Sequence, residues 1–450
     1  MPEPTGDAVP PPETGPPEPQ KWTTWPGAII VGLFALIWFG WNLSAEPSFV
    51  DESAYYSQSY FARLFAERRL DDPAWIEYPA FDLPPLPKYM IGASLRLGGY
   101  PIPTSSDAFA WYSNTSRTFY PAGSSALTWA RAPMVVAGAL GCVALYGIGV
   151  LVSGPGAGLL AGLLLAINPL YRMHARRAMS DVPCEAFMLL ALFFALWSWT
   201  RWLQGRRWWI AWLGDLAAGL CAGLALLSKL SGTLVLMVIA VWTVLGLAAR
   251  TSFWRKAGKG GSALLVPIAA LLVFITLNPY MTAHPTKALP PGLAAVNMLS
   301  MRERAETMFR LRLKVAADQQ RMFPHNALFA AREKIAVAAV QGFGRFGPFG
   351  PTRNDSTIRY DRAQDWGACV WLPLVLVGAL VSAARGWSER RAGRSPTSWA
   401  LLVYWLVALA VVTAYLPMAW DRYQLPIQAP SALLASLGTV SLTRSLWRRP

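Results

Sequence analysis

Ten apolar blocks govern what this chain can fold into. They are Ile29–Trp41, Ala132–Val152, Ala157–Leu170, Ala186–Trp199, Ile210–Leu227, Leu234–Leu247, Ala263–Leu277, Ala368–Val381, Trp399–Leu416 and Ala432–Val440. A helix needs about 20 residues to cross a hydrocarbon core of roughly 30 Å. With their weakly polar flanks, the blocks predict about ten transmembrane helices, give or take one. None alternates as a barrel strand does. Only 14% of the chain is charged, against 54% hydrophobic, which is too little charge to cover a soluble protein of this length. The expected fold class is an all-α polytopic membrane protein.

Lys and Arg then set the orientation. Short basic connections lie at Arg201–Arg207, Arg250–Lys259, Arg385–Arg394 and Arg444–Arg449, each an even number of spans from the next. All four share one side, which the positive-inside rule makes cytoplasmic. The N-terminus falls on that side as well, so both termini are expected in the cytoplasm. The long segments Ala45–Ala130 and Met281–Asp365 are expected outside, as are the turns Tyr171–Asp181 and Trp420–Gln424. Met1–Gln20 is Pro-rich, with no basic region followed by an apolar one. It reads as a disordered cytoplasmic tail rather than a signal peptide.

The net charge of +15 does not point to nucleic acid, because the basic residues are divided between two membrane faces. The cytoplasmic ones answer to topology and anionic lipid. Outside, Arg302, Arg304, Arg310, Arg312 and Lys314 alternate with Met308, Phe309, Leu311 and Leu313. That pattern suits a helix lying on headgroups, with phosphate recognition as the alternative. Cys142, Cys184, Cys221 and Cys369 sit in or beside apolar spans, so no loop disulfide framework is expected. His174, His284 and His325 show no helical ligand spacing. No metal is assigned, and a divalent ion stays only as a lesser alternative.

The first outer loop carries the densest chemistry. It opens Pro47-Ser48-Phe49-Val50-Asp51-Glu52-Ser53-Ala54-Tyr55-Tyr56. Two adjacent carboxylates among apolar neighbours are costly to keep ionised. The plain alternative is capping by Asp51 or Ser53 of a helix running through Tyr56 to Glu67. Farther on, Pro79, Pro84, Pro85 and Pro87 rigidify the chain ahead of Lys88. Leu86–Leu97 is apolar but too short to span, and is expected at the interface. There Lys88 suits a lipid phosphate or simply snorkels. Arg172, Arg176, Arg177 and Asp181 crowd the next outer turn. Lys229 interrupts Gly219–Val238 at a depth where charge implies function or a partner. Asp421-Arg422-Tyr423 closes the last outer turn.

In this order and on one side, these features resemble the GT-C superfamily of membrane glycosyltransferases. They are most similar to its protein O-mannosyltransferase and aminoarabinose-transferase branch. The resemblance rests on Asp51-Glu52 after the first span, Pro84-Pro85-Leu86-Pro87-Lys88, Arg177-Ala178-Met179-Ser180-Asp181, Leu227-Ser228-Lys229 and Arg422-Tyr423 with Pro426. It is good over Trp22–Arg250 and thinner beyond.

The resemblance implies an inverting transfer from a polyprenyl-phosphate sugar to an acceptor hydroxyl on a protein, lipid or glycan. It makes Asp51 the base that takes the acceptor proton, with Glu52 completing the catalytic pair. Tyr55, Lys88, Arg177, Asp181, Lys229 and Arg422 are the implied substrate-binding residues, with Lys88, Arg177 and Lys229 facing the leaving phosphate and Asp181 positioning an arginine or the sugar. The implied organisation is a tail over 1–24 and a catalytic transmembrane core over 25–280, including the first loop 46–130. A second loop over 281–365 and C-terminal helices over 366–450 follow. The second loop is expected to set the acceptor, with the aromatic stretch Gly342–Gly350 either stacking on sugar rings or lying loose at the interface.

A transporter or flippase would show internal repeats and midplane charges, and the two halves do not match. A scaffold would not need the loop carboxylates and Pro84–Lys88 together. A phosphoethanolamine transferase needs a metal-dependent soluble domain, for which there is no room.

Overall fold

The computed structural model describes residues 25–104, 125–203, 208–247, 253–343 and 366–447. The Pro-rich tail and residues 344–350 of the aromatic stretch lie outside these. Each of the ten apolar blocks falls on helix. α1 is Trp25–Gly40, α6 Ser125–Ser153, α7 Pro155–Ile167, α8 Pro169–Ala175, α9 Asp181–Leu203 and α10 Trp208–Ser228. α11 is Thr233–Leu247, α12 Phe253–Thr276, α16 Trp366–Arg391, α17 Trp399–Tyr415 and α18 Leu425–Trp447. The polytopic all-α class is borne out. Among the described residues, seven helices are long and apolar enough to cross a membrane, and the bent pair α7–α8 makes an eighth. α1 and α17 are apolar but shorter.

The bend between α7 and α8 is 67° and has a local cause. Asn168-Pro169 stops α7, because the residue before proline is driven out of the helical region. The Asn168 Oδ1 then accepts from the Tyr171 N–H at 3.0 Å, capping α8, while its Nδ2 donates to Gln428 Oε1 on α18 at 2.8 Å. The break thereby aims Arg176–Asp181 at the first loop.

The helices alternate in direction, so the connections α1–α6 and α12–α16 emerge at the same end of the bundle. The first folds into α2 (Val50–Ser57), α3 (Tyr60–Ala66), α4 (Tyr78–Asp82) and α5 (Leu86–Leu97). The second folds into α13 (Pro291–Asn297), α14 (Met301–Met322) and α15 (Ala331–Phe343). Tyr60, Phe61 and Trp75 from the first bury against Tyr280, Met281 and Met308 from the second. The two connections therefore share one core.

Within the bundle α6 packs on α1, α7 and α9, and α18 packs on α16, α17 and α7. The α16–α18 contact depends on paired glycines. A Cβ at Gly378 would lie 1.8 Å from the Leu434 carbonyl oxygen, and one at Gly438 would lie 2.4 Å from that of Leu374. Both obstacles are backbone, which cannot rotate away, as in small-residue helix contacts within membranes. Gly378→Ala should therefore lower the melting temperature in detergent, at a cost of about 1–3 kcal/mol. Gly258→Ala, where a Cβ meets nothing within 4 Å, is the matched control and should leave it unchanged.

Candidate active site

Adjacent residues on a helix point about 100° apart, and α2 uses this to separate its two carboxylates. Glu52 turns inward. Its Oε2 accepts from the Phe49 N–H at 2.9 Å, so Glu52, not Asp51 or Ser53, serves the helix start. The same carboxylate takes two bonds from Arg131, at 2.8 and 2.7 Å, and one from the Ala178 N–H at 2.8 Å. Arg131 also donates to the carbonyls of Leu43, Glu46 and Pro47. Arg176 does the same for Phe39, Trp41 and Asn42 and pairs with Glu46 at 2.7 Å. Together the two arginines satisfy carbonyls left open where α1 ends and fix the path into α2.

Asp51 turns the other way, into a cavity of about 570 Å³. Its carboxylate accepts from Arg422, whose guanidinium also lies 4.9 Å from the Trp420 ring. Across the cavity Lys229 donates to Asp181 at 2.7 Å, with His174 Nδ1 3.9 Å from the same carboxylate. Tyr55 lies between these pairs, its hydroxyl donating to Ser180 Oγ at 2.5 Å. Burial, and then the Asp181 carboxylate, push the Tyr55 phenol up to about 12, so it stays a donor. Arg312 of α14 also lines the cavity and pairs with Asp82. Tyr78, Tyr415 and Tyr423 add aromatic wall.

Asp51, Tyr55, Asp181, Lys229 and Arg422 thus meet at one cavity, although they come from four separate stretches of chain. Glu52, Lys88 and Arg177 do not line it. Lys88 is fully buried in the loop core, donating to the Pro79 carbonyl at 2.6 Å, 4.9 Å from the Phe61 ring. Burial lowers its pKa well below the ordinary ammonium value. Pro79, Pro84 and Pro85 lie ahead of α5, and Pro87 opens its first turn. Arg177 stacks its guanidinium 4.2 Å from the Phe49 ring. Of the outer basic residues, Arg304 is buried and donates to the Tyr280 and Ala283 carbonyls, while Arg302 and Arg310 are exposed and pair with Glu306.

Sequence reasoning did not assign Arg131, Glu185 or Arg312 to the site. Arg131 carried a signal, since a charge directly ahead of the apolar block Ala132–Val152 needs a partner. Glu185 lies just outside the apolar block starting at Ala186. Among the described residues, no group of three or more His, Cys, Asp or Glu is placed to hold a metal ion.

Residues 120–280 match the family model described as dolichyl-phosphate-mannose-protein mannosyltransferase. The apo oligosaccharyltransferase of Archaeoglobus fulgidus shares the fold at TM-score 0.55 and 14% identity, over 95% of this chain and 52% of that one. Archaeoglobus fulgidus AglB in complex with an inhibitory peptide and a dolichol-phosphate gives 0.53 and 14%, over 94% and 51%. ArnT from Cupriavidus metallidurans in the apo state gives 0.51 and 14%, over 94% and 61%. This chain thus spans about half to three-fifths of the length of those proteins. Among curated proteins, none matches. The GT-C resemblance is borne out at the level of the fold, which the chain shares with these membrane proteins. The stretch matched by the family model contains Asp181 and Lys229.

Proposed function

We propose that this chain is an inverting membrane glycosyltransferase that moves a sugar from a polyprenyl-phosphate donor to an acceptor hydroxyl. The observation that carries the reading is one carboxylate, Asp51, facing the same cavity as Arg422 and Lys229. A general base and phosphate-binding cations within one apolar-walled pocket are what such a displacement needs. The family match and the fold point the same way, as does the dolichol-phosphate found with AglB.

The acceptor hydroxyl attacks the anomeric carbon while its proton passes to Asp51. The bond from that carbon to the phosphate oxygen breaks, and the electron pair leaves on the phosphate. Arg422 and Lys229 take up the charge developing there. A single displacement inverts the anomeric centre. Arg422 connects the two halves of the reaction, because it binds Asp51 and also faces the space for the phosphate. Asp181 holds Lys229, and Tyr55 with the other tyrosines supplies donors and ring faces for the sugar. Glu52 acts by positioning: its pairing with Arg131 fixes α2 and so aims Asp51.

The protein in lipid nanodiscs, given radiolabelled polyprenyl-phosphate mannose, glucose and aminoarabinose with a mixture of acceptor peptides and lipids, should release polyprenyl phosphate from at least one donor. Neither release nor binding of any donor would end this reading.

The cavity lies at the end of the bundle opposite the four basic connections, so the positive-inside rule assigns it to the extracytoplasmic face of the cell membrane. Ser388→Cys and Gly292→Cys provide a direct check. In intact cells a membrane-impermeant maleimide should label the second variant only, and permeabilisation should expose the first. The reverse pattern would invert the topology.

A further inference from the structure

Glu185 takes no part in the displacement chemistry, yet it faces the cavity. It lies four residues after Asp181 on α9, which places the two carboxyls on one helix face, Glu185 a turn farther into the bundle. Its side chain is nine-tenths buried or more, it lines the cavity, and its Oε2 has no hydrogen-bond partner. Buried carboxyl oxygens are normally satisfied, and leaving one unmet is destabilising. The neighbouring groups do not meet the need. Lys229 directs a bond at Asp181 and makes none to Glu185 Oε2, and the Cys184 thiol is directed at the Lys229 carbonyl and Ser231. Leu234, Val411 and Val412, which also line the cavity, carry no donor, and the buried Tyr404 hydroxyl nearby is itself without a partner.

We infer that Glu185 is a recognition residue, accepting a hydrogen bond from a hydroxyl of the glycosyl group and so distinguishing glycosylated carrier from bare polyprenyl phosphate. A phosphodiester has no hydrogen to give this acceptor. A second ammonium would meet the charge of Lys229, whereas a neutral hydroxyl satisfies the acceptor without adding charge. The inference rests on the donor class proposed above and adds the part of the donor that is read at the inner end of the cavity.

The test compares equilibrium binding of two probes, polyprenyl phosphate and polyprenyl-phosphate mannose, to wild type, Glu185→Ala and Glu185→Gln in nanodiscs. Wild type should bind the mannosylated probe up to about tenfold more tightly, the increment of one buried hydrogen bond. Glu185→Ala should lose that difference and keep wild-type affinity for the bare carrier. Glu185→Gln, whose amide oxygen still accepts, should keep part of it. Three results overturn the inference: Glu185→Ala keeping the full difference, Glu185→Ala losing the bare carrier as well, or wild type binding both probes equally. A wild type that binds neither probe removes the donor class itself, and this inference falls with it.

Discussion

Asp51→Asn is expected to slow sugar transfer by about 10²–10⁴-fold, the range for loss of a positioned general base, while donor-lipid affinity stays within a few fold. The amide has the shape of the carboxylate and still presents an oxygen to Arg422, so the cavity and its cation are retained. What it lacks is basicity toward the acceptor proton. The separation is the informative part. Binding by titration of polyprenyl phosphate and turnover by release of labelled carrier should diverge in this variant alone. Full activity in Asp51→Asn would remove Asp51 from the chemistry, and equal loss of binding and turnover would make it a structural residue.

Glu52, one residue away, should behave in the opposite manner. Its carboxylate and the Arg131 guanidinium are both almost wholly out of solvent, with side-chain exposures of 2% and 1%. Removing one member of such a pair leaves the other charge buried and uncompensated, at a cost of about 3–5 kcal/mol. Glu52→Ala should therefore lower the melting temperature in detergent and the yield of folded protein, before any assay of transfer. Glu52→Ala combined with Arg131→Met should recover part of the loss, because the stranded charge is gone, although the Leu43, Glu46 and Pro47 carbonyls stay unmet. A single Glu52→Ala protein as stable as wild type would show that the pair does not hold the loop.

The bundle was legible in the sequence because span length and apolar continuity are one-dimensional properties. The ten blocks fall on helix, and only the number that cross unbroken is less plain, since α1 and α17 are short and Asn168-Pro169 splits a span. The members of the site were partly legible for a related reason. Charges at the ends of apolar runs, such as Asp181, Lys229 and Arg422, are costly unless they have work or partners. Which partner each would find was not legible, because adjacency in sequence does not fix direction on a helix. Asp51 and Glu52 read as a pair and diverge by one helical step. Lys88 read as a cation near lipid, but the proline-shaped carbonyl of Pro79 draws it into the loop core. Arg312 read as one basic residue among several, and only the shared core of the two loops brings it to the cavity.

The partner of Asp51 is residue 422, and this imposes an order on the protein's manufacture. The ribosome makes the carboxylate 371 residues before the guanidinium that holds it. Until α18 is inserted, the pocket lacks a wall and its principal cation, and the loop core waits on Tyr280 and Met308. A chain stopped short of residue 422 therefore presents the Asp51 carboxylate without its arginine. The pocket is thus completed only when its two most distant members meet.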